Sequence, residues 1–181
     1  SAGDVELTNE GSGTLGLVTA AGTLTLNGTG DLYLSGNLTG TGGIFVLTSS
    51  VHLTGSSTQT FSTTDQNISF GGEINGAQAL ILNAGAGRVT LSDVGNSTRL
   101  TDLDITAAQL ELYKDINLAA GSSFTTSGNT LVLADVTIDA NPGTTGTSGS
   151  VTFGGWLNGK NPDTDLVINT SASGGKGGAI L

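Results

Sequence analysis

The chain has 181 residues, 30 of them Gly, with no Cys, and with 5 Lys+Arg against 15 Asp+Glu. That length supports one domain with a sizeable core, and the missing cysteines exclude a disulfide framework. A formal net charge of −10 opposes binding to nucleic acid or to an anionic membrane surface, and no apolar run has the length of a transmembrane helix.

Ser1 opens directly into Asp4-Val5-Glu6-Leu7 without a signal-peptide pattern, so a mature form or a piece of something longer is expected. Along the chain, helix periodicity is nearly absent. Short apolar-x-apolar units recur instead: Leu24-Thr25-Leu26, Leu32-Tyr33-Leu34, Val89-Thr90-Leu91, Leu110-Glu111-Leu112, Ile116-Asn117-Leu118 and Val136-Thr137-Ile138. A period of two marks strands buried on one face, and the Gly, Asn and Ser between them mark turns. With 36% hydrophobic residues grouped this regularly, the chain is not a disordered tract.

The units fall into three interleaved series. One begins at Leu24, Phe45, Ile68, Val89, Leu110, Leu131 and Val151. A second runs Leu32, Leu53, Ile74, Val94, Ile116, Val136 and Leu157. A third runs Leu38, Phe61, Leu80, Leu103, Phe124 and then Leu166, with one member missing. The steps cluster near 21 residues, which predicts an all-β, right-handed parallel β-solenoid: a triangular β-helix of about eight coils of roughly 21 residues, forming a single domain over 1–181. Neighbouring coils lie about 4.8 Å apart, so the rod should be roughly 40 Å long. Leu110→Asp should then cost several kcal/mol, whereas Glu111→Thr, on the outward face, should be nearly silent.

Asn75 and Asn158, each before Gly, are expected at corners, where stacked amides bond one another from coil to coil and Gly supplies positive φ. Ile68–Gly76 is echoed by Val151–Gly159, about four coils on. The missing strand falls in Asn141–Ser150, which has no large apolar side chain and reads as a polar loop bulging from a corner; as a protrusion it would be a place for function.

Phe70-Gly-Gly-Glu-Ile-Asn-Gly-Ala77, followed by Ala79-Leu-Ile-Leu-Asn-Ala-Gly-Ala-Gly-Arg-Val-Thr-Leu91, resembles filamentous-haemagglutinin-type repeats and the passenger stalks of autotransporters, most clearly from Ile68 to Leu181. The resemblance implies a secreted β-helix that displays or spaces adhesive regions on the bacterial surface. Neither the secretion-directing N-terminal domain nor the membrane barrel of such proteins is matched. The chain stops at Gly177–Leu181, where a new strand begins, and neither end has an evident cap. Its expected partners are therefore flanking repeats of the same polypeptide or a second copy stacked end to end, together with a carbohydrate or host-surface receptor.

No catalytic, cofactor-binding or metal-ligating residue is assigned, and no cofactor is expected. His52 is the only histidine and should point outward, without a Ser-His-Asp constellation. Asp102 and Asp104 alternate with Leu103 and Ile105 and so face solvent together, a spacing that glycoside hydrolysis could use. Asp163 and Asp165 sit at a corner, and Asp93, Asp135 and Asp139 are scattered; all read as charges that keep an acidic solenoid soluble. Gly28–Leu34 faintly resembles the Gly-x-Gly-x-Asp-x calcium nonapeptide, and once only, whereas that motif works in tandem copies. Trp156 replaces Glu73 in the echo and reads as an exposed corner side chain, with a sugar platform as the sharper alternative. Tyr33 and Tyr113 should also face outward. The sequons at Asn27, Asn37, Asn67, Asn96 and Asn169 are expected by chance in so Asn- and Ser/Thr-rich a chain. The function expected is an extracellular structural and adhesive segment of a bacterial fibre protein. A self-assembling filament subunit and, more remotely, a carbohydrate-active enzyme are the alternatives.

Overall fold

A computed structural model describes residues 3–48, 50–56, 58–141, 148–171 and 177–181. Among them every regular element is a β-strand, and every strand pairs in parallel with the corresponding strand one coil away. The first face is one continuous ladder of eight strands: Val5–Asn9, Leu24–Gly28, Ile44–Leu47, Ile68–Phe70, Arg88–Leu91, Gln109–Leu112, Asn129–Val132 and Leu157–Gly159. The third face has seven strands, from Val18–Ala20 to Ser150–Phe153, and a last bridge joins Val151 to Ile180. The second face is split. Four strands run from Gly13–Leu15 to Glu73–Asn75 and three from Ile116–Asn117 to Leu166–Asn169, and only single bridges through Val94 join the two sets. Six coils therefore carry all three strands, while the fifth and eighth carry two strands and a bridge. The chain is a β-solenoid as expected, with fewer complete coils than eight.

Alternation builds the core. Leu24, Ile44, Ile68, Val89 and Leu110 stack as one fully buried column, with Leu26, Val46, Phe70, Leu91 and Leu112 beside it. On the third face Leu80, Leu103, Phe124 and Val151 do the same. Each column buries a face that no single coil could cover by itself.

Five register assignments before Asn141 differ from the sequence reading, two of them at Leu53 and Leu80: Val51, not Leu53, pairs with Leu32 and Ile74, and Leu82, not Leu80, pairs with Phe61, shifts of two residues that leave both side chains buried. Ile44, not Phe45, pairs with Leu24, so Phe45 points outward. Thr130, not Leu131, pairs with Leu110, so a Thr occupies a core position and Leu131 stands outside. One-residue slips of this kind exchange the two sides of a strand. Val136, by contrast, is displaced by two residues, since Ile138 pairs with Ile116; it keeps its inward face and stays buried.

The largest correction follows Asn141. The strand that looked absent from the third face is Ser150–Phe153, pairing Val151 with Phe124. Leu157 then belongs to the first face and Leu166 to the second, each one face away from its expected series. The extra length of Asn141–Ser150 had absorbed a strand interval. Residues 142–147 of that segment, the expected protrusion, lie outside the described residues. The echoed motif consequently turns two different corners. Ile68–Gly76 passes from first face to second, whereas Val151–Gly159 passes from third face to first.

Corners are closed by side chains that reach the next coil's backbone. Asn37 Oδ1 accepts from Thr60 N at 2.8 Å, Asn67 Oδ1 from Arg88 N at 2.9 Å, Asp115 Oδ1 from Thr137 N at 2.7 Å and Asn129 Oδ1 from Trp156 N at 2.9 Å. These are side chain-to-backbone rungs rather than the expected amide-on-amide ladders. Asn75 is buried, and its Oδ1 accepts from both Ser97 N and Thr98 N at 2.9 Å; Asn158 is exposed and mid-strand. Glycine serves two needs here. Gly95 has φ +70° and abuts the Asn117 carbonyl, whereas Gly128 needs no unusual φ but leaves no room for a Cβ beside the Ala107 carbonyl.

Candidate functional site

Asp102 and Asp104 both face outward on the strand Asp102–Thr106. Asp102 is used structurally, because its Oδ1 accepts from Ser123 N at 2.7 Å. The coils on either side place Ile81 and Thr125 beside Asp104, and Ala79 beside Asp102, so no acid or base stands next to them in the ladder. Asp135 is another backbone rung, accepting from Asp165 N at 3.0 Å. Asp139 accepts from Asn141 N and from the Asn169 amide, and pairs with Arg99 at 2.9 Å. Asp93 precedes the Val94 bridge, and its carbonyl accepts from Ile74 N. Asp163 is exposed in the turn before Leu166–Asn169. Among the described residues no three carboxylate or imidazole groups converge on a point that could hold a cation, the Gly28–Leu34 segment included.

Stacking does bring together residues that the sequence keeps apart. Tyr33 and His52 are register partners on the second face, and their rings stack at 4.8 Å with 16° between planes. Asp31 Oδ2 lies 3.7 Å and Ser50 Oγ 3.3 Å from the same His52 Nε2. A nucleophilic triad needs the hydroxyl and the carboxylate on opposite ring nitrogens. Here both converge on one, so the cluster clamps the second and third coils together without forming such a relay.

The first face differs from the other two. Its outward positions carry Phe45, half-exposed Leu47, Tyr113 and Leu131, and Trp156, 78% exposed, leads into its last strand. Its strands hold only two carboxylates, Glu6 in the first coil and Glu111, which is 8% exposed. The second-face strands carry Asp31, Glu73 and Asp139, and the third-face strand carries Asp102 and Asp104. Three of the four described basic residues lie on the first face or just past its strands: Arg88, Lys114 and Lys160.

A depression of about 390 Å³ opens between two banks of this face, lined by Ser69, Phe70, Gly71, Thr90, Ser92, Tyr113 and Lys114. Register explains it. Phe45, Ser69, Thr90 and Glu111 form one outward row over four successive coils. Beside it, Gly71 lies against Leu47, and Tyr113 donates its backbone N–H to Leu91 O at 3.1 Å, which puts it alongside Ser92. Large side chains in the third and sixth coils thus flank small ones in the fourth and fifth, and the banks are about 14 Å apart. Glu111 anchors one bank: it accepts from Arg88 Nη1 at 2.7 Å, Gln109 Nε2 at 3.2 Å and Thr90 Oγ1 at 3.4 Å.

The sequence reading placed Tyr113 outside but not the groove. Ser69, Thr90, Ser92 and Lys114 acquire meaning only once the register is known, since they lie far apart in the chain. The sequons are largely engaged as well: Asn27 donates to Glu6 Oε1 at 2.7 Å, Asn37 and Asn67 are rungs, and Asn169 donates to Asp139. No known protein family matches the chain, and neither a curated protein nor a solved structure is detectably similar to it.

Proposed function

We propose that the chain is an extracellular structural and adhesive segment of a bacterial surface or secreted fibre protein, of the kind built from filamentous-haemagglutinin-like or autotransporter-stalk repeats. The observation that carries this is the unbroken eight-strand parallel ladder of the first face, whose outward side presents Leu47 and Tyr113 among polar residues, with exposed Trp156 at the corner before its last strand. A continuous ladder makes a stiff spacer, because opening any coil uncovers its neighbours on both sides. The exposed aromatic side chains give that spacer a surface to present. Its outward carboxylates serve largely as backbone rungs, which suits a scaffold better than a catalyst.

The test is to couple the purified chain to beads and expose them to bacterial and epithelial cell surfaces and to acidic polysaccharides. Adhesion without release of reducing ends or unsaturated sugars is expected. Cleavage of any of these polysaccharides would overturn the reading in favour of a carbohydrate-active enzyme.

A second reading, end-to-end assembly, is favoured by one observation. The last coil leaves Leu157, Val167, Ile180 and Leu181 exposed, and the strand Leu157–Gly159 has a neighbour on one side only. Such an edge accepts a further coil, from the same polypeptide or from a second copy. Electron microscopy of the concentrated chain separates the two: fibres favour the second copy, persistent single rods the flanking repeat.

A further inference from the structure

We infer that the first-face groove between Phe45/Leu47 and Tyr113/Lys114 is a binding site for an acidic oligosaccharide, one carrying uronate carboxylates. The inference rests on the adhesive part of the function proposed above and names the ligand class and the site. Three independent features of the groove point the same way.

The first is size. A depression of about 390 Å³ falls within the range of small-ligand sites. The second is the chemistry of floor and wall. Ser69, Thr90 and Ser92 offer hydroxyls that both donate and accept, matching a polyhydroxyl ligand. Tyr113, 45% exposed, offers an apolar ring face with a polar tip, which suits the C–H side of a pyranose beside its hydroxyls. The buried Glu111 takes the Thr90 hydroxyl hydrogen, so the Thr90 oxygen keeps a lone pair for a sugar hydroxyl.

The third feature is charge. On a chain of net charge −10, the strands of this face hold no exposed carboxylate beyond Glu6 in the first coil; Asp93 and Asp115, half-buried, follow Ser92 and Lys114 at its edge, and Asp115 Oδ1 is engaged by Thr137 N. Arg88 is taken up by Glu111 and Arg99 by Asp139. Lys114 lines the groove with no carboxylate in ion-pair reach among the described residues, and Lys160 lies further along the same face. An ammonium is a hydrated point charge that pairs with a carboxylate without demanding bidentate geometry. An anion approaching either of the other two faces meets Asp31 and Glu73, or Asp102 and Asp104. The first face is therefore where an anionic glycan would be admitted, and the other two would repel it.

The experiment titrates the purified chain with tetragalacturonate and with its methyl-esterified, uncharged counterpart, by calorimetry and by NMR shift mapping. Saturable binding of the acid is expected, at least tenfold tighter than the ester, with perturbations at Ser69, Thr90 and Ser92. Tyr113→Ala and Lys114→Ala should each weaken binding at least tenfold, Lys114→Ala chiefly for the acid. The third-face variant Asp104→Asn should leave affinity unchanged, and circular dichroism of each variant should match the parent. Absence of saturable binding, parent-like affinity in both groove variants, or equal binding of a poly-glutamate peptide would overturn the proposal. Loss of glycan binding with bead adhesion intact would move the adhesive site elsewhere. Glycan binding without bead adhesion would overturn the adhesive reading and leave the groove standing.

Discussion

Glu111 occupies an outward position by alternation, yet it is nearly buried and accepts three hydrogen bonds. Period-two reasoning gives direction, but it does not say how deep the outer side lies once a neighbouring coil brings Arg88 and Gln109 over it. The expected silence of Glu111→Thr is therefore replaced by a cost of about 1–2 kcal/mol in urea unfolding, moderated because Arg88 can rehydrate. Leu110→Asp, one residue away, buries a charge in the core column and should cost about 4 kcal/mol or abolish folding. Asn75 presents a sharper case. Its Oδ1 satisfies two backbone N–H groups of the next coil, so Asn75→Ala should lose about 2 kcal/mol, while exposed Asn158→Ala changes the urea midpoint little. The sequence marked both residues equally, as Asn before Gly. What separates them is whether an adjoining coil presents N–H groups at that height, which no local pattern encodes.

At the level of strands, the three-column pattern was legible wherever coils kept a constant length. Ile68, Val89 and Leu110, and likewise Leu103 and Phe124, sit in their expected columns because uniform steps keep equivalent residues above one another. It slipped by one or two residues where a coil was shorter or longer than the step read, as at Phe45, Leu131 and Val136, and it failed by a whole face after Asn141, where an insertion changed the step. The groove was illegible for a related reason: its floor alternates with core residues in two coils, and its banks come from two others. The register also explains a local weakness. Thr130 sits in the column between Leu110 and Leu157, 1% exposed, and its hydroxyl has no hydrogen-bond partner. Val has the same shape without the desolvated hydroxyl. Thr130→Val should accordingly stabilise the chain by about 1 kcal/mol, read as a raised urea midpoint with unchanged slope. A loss of stability would show that the Thr130 hydroxyl has a partner.

For the whole molecule, stacking converts sequence spacing into surface composition. One face gathers apolar, aromatic and basic side chains, while carboxylates occupy the other two and several corners. Like charges aligned along a rod repel one another, and salt screens them. Thermal stability should rise as sodium chloride is added from low ionic strength to about 0.15 M, where the Debye length falls to roughly 8 Å. A flat response in scanning calorimetry would mean that the acidic residues are compensated locally. All of this depends on the assignment of the strands after Asn141 to their faces. Because the chain has no Cys, paired spin labels can be introduced cleanly. Labels at Thr125 and Thr152, adjacent on the third face, should show strong spin–spin broadening, since neighbouring strands lie about 4.8 Å apart. Labels at Leu131 and Thr152, on different faces, should not. Broadening of the second pair without the first would place Ser150–Phe153 on the first face and contradict the solenoid register.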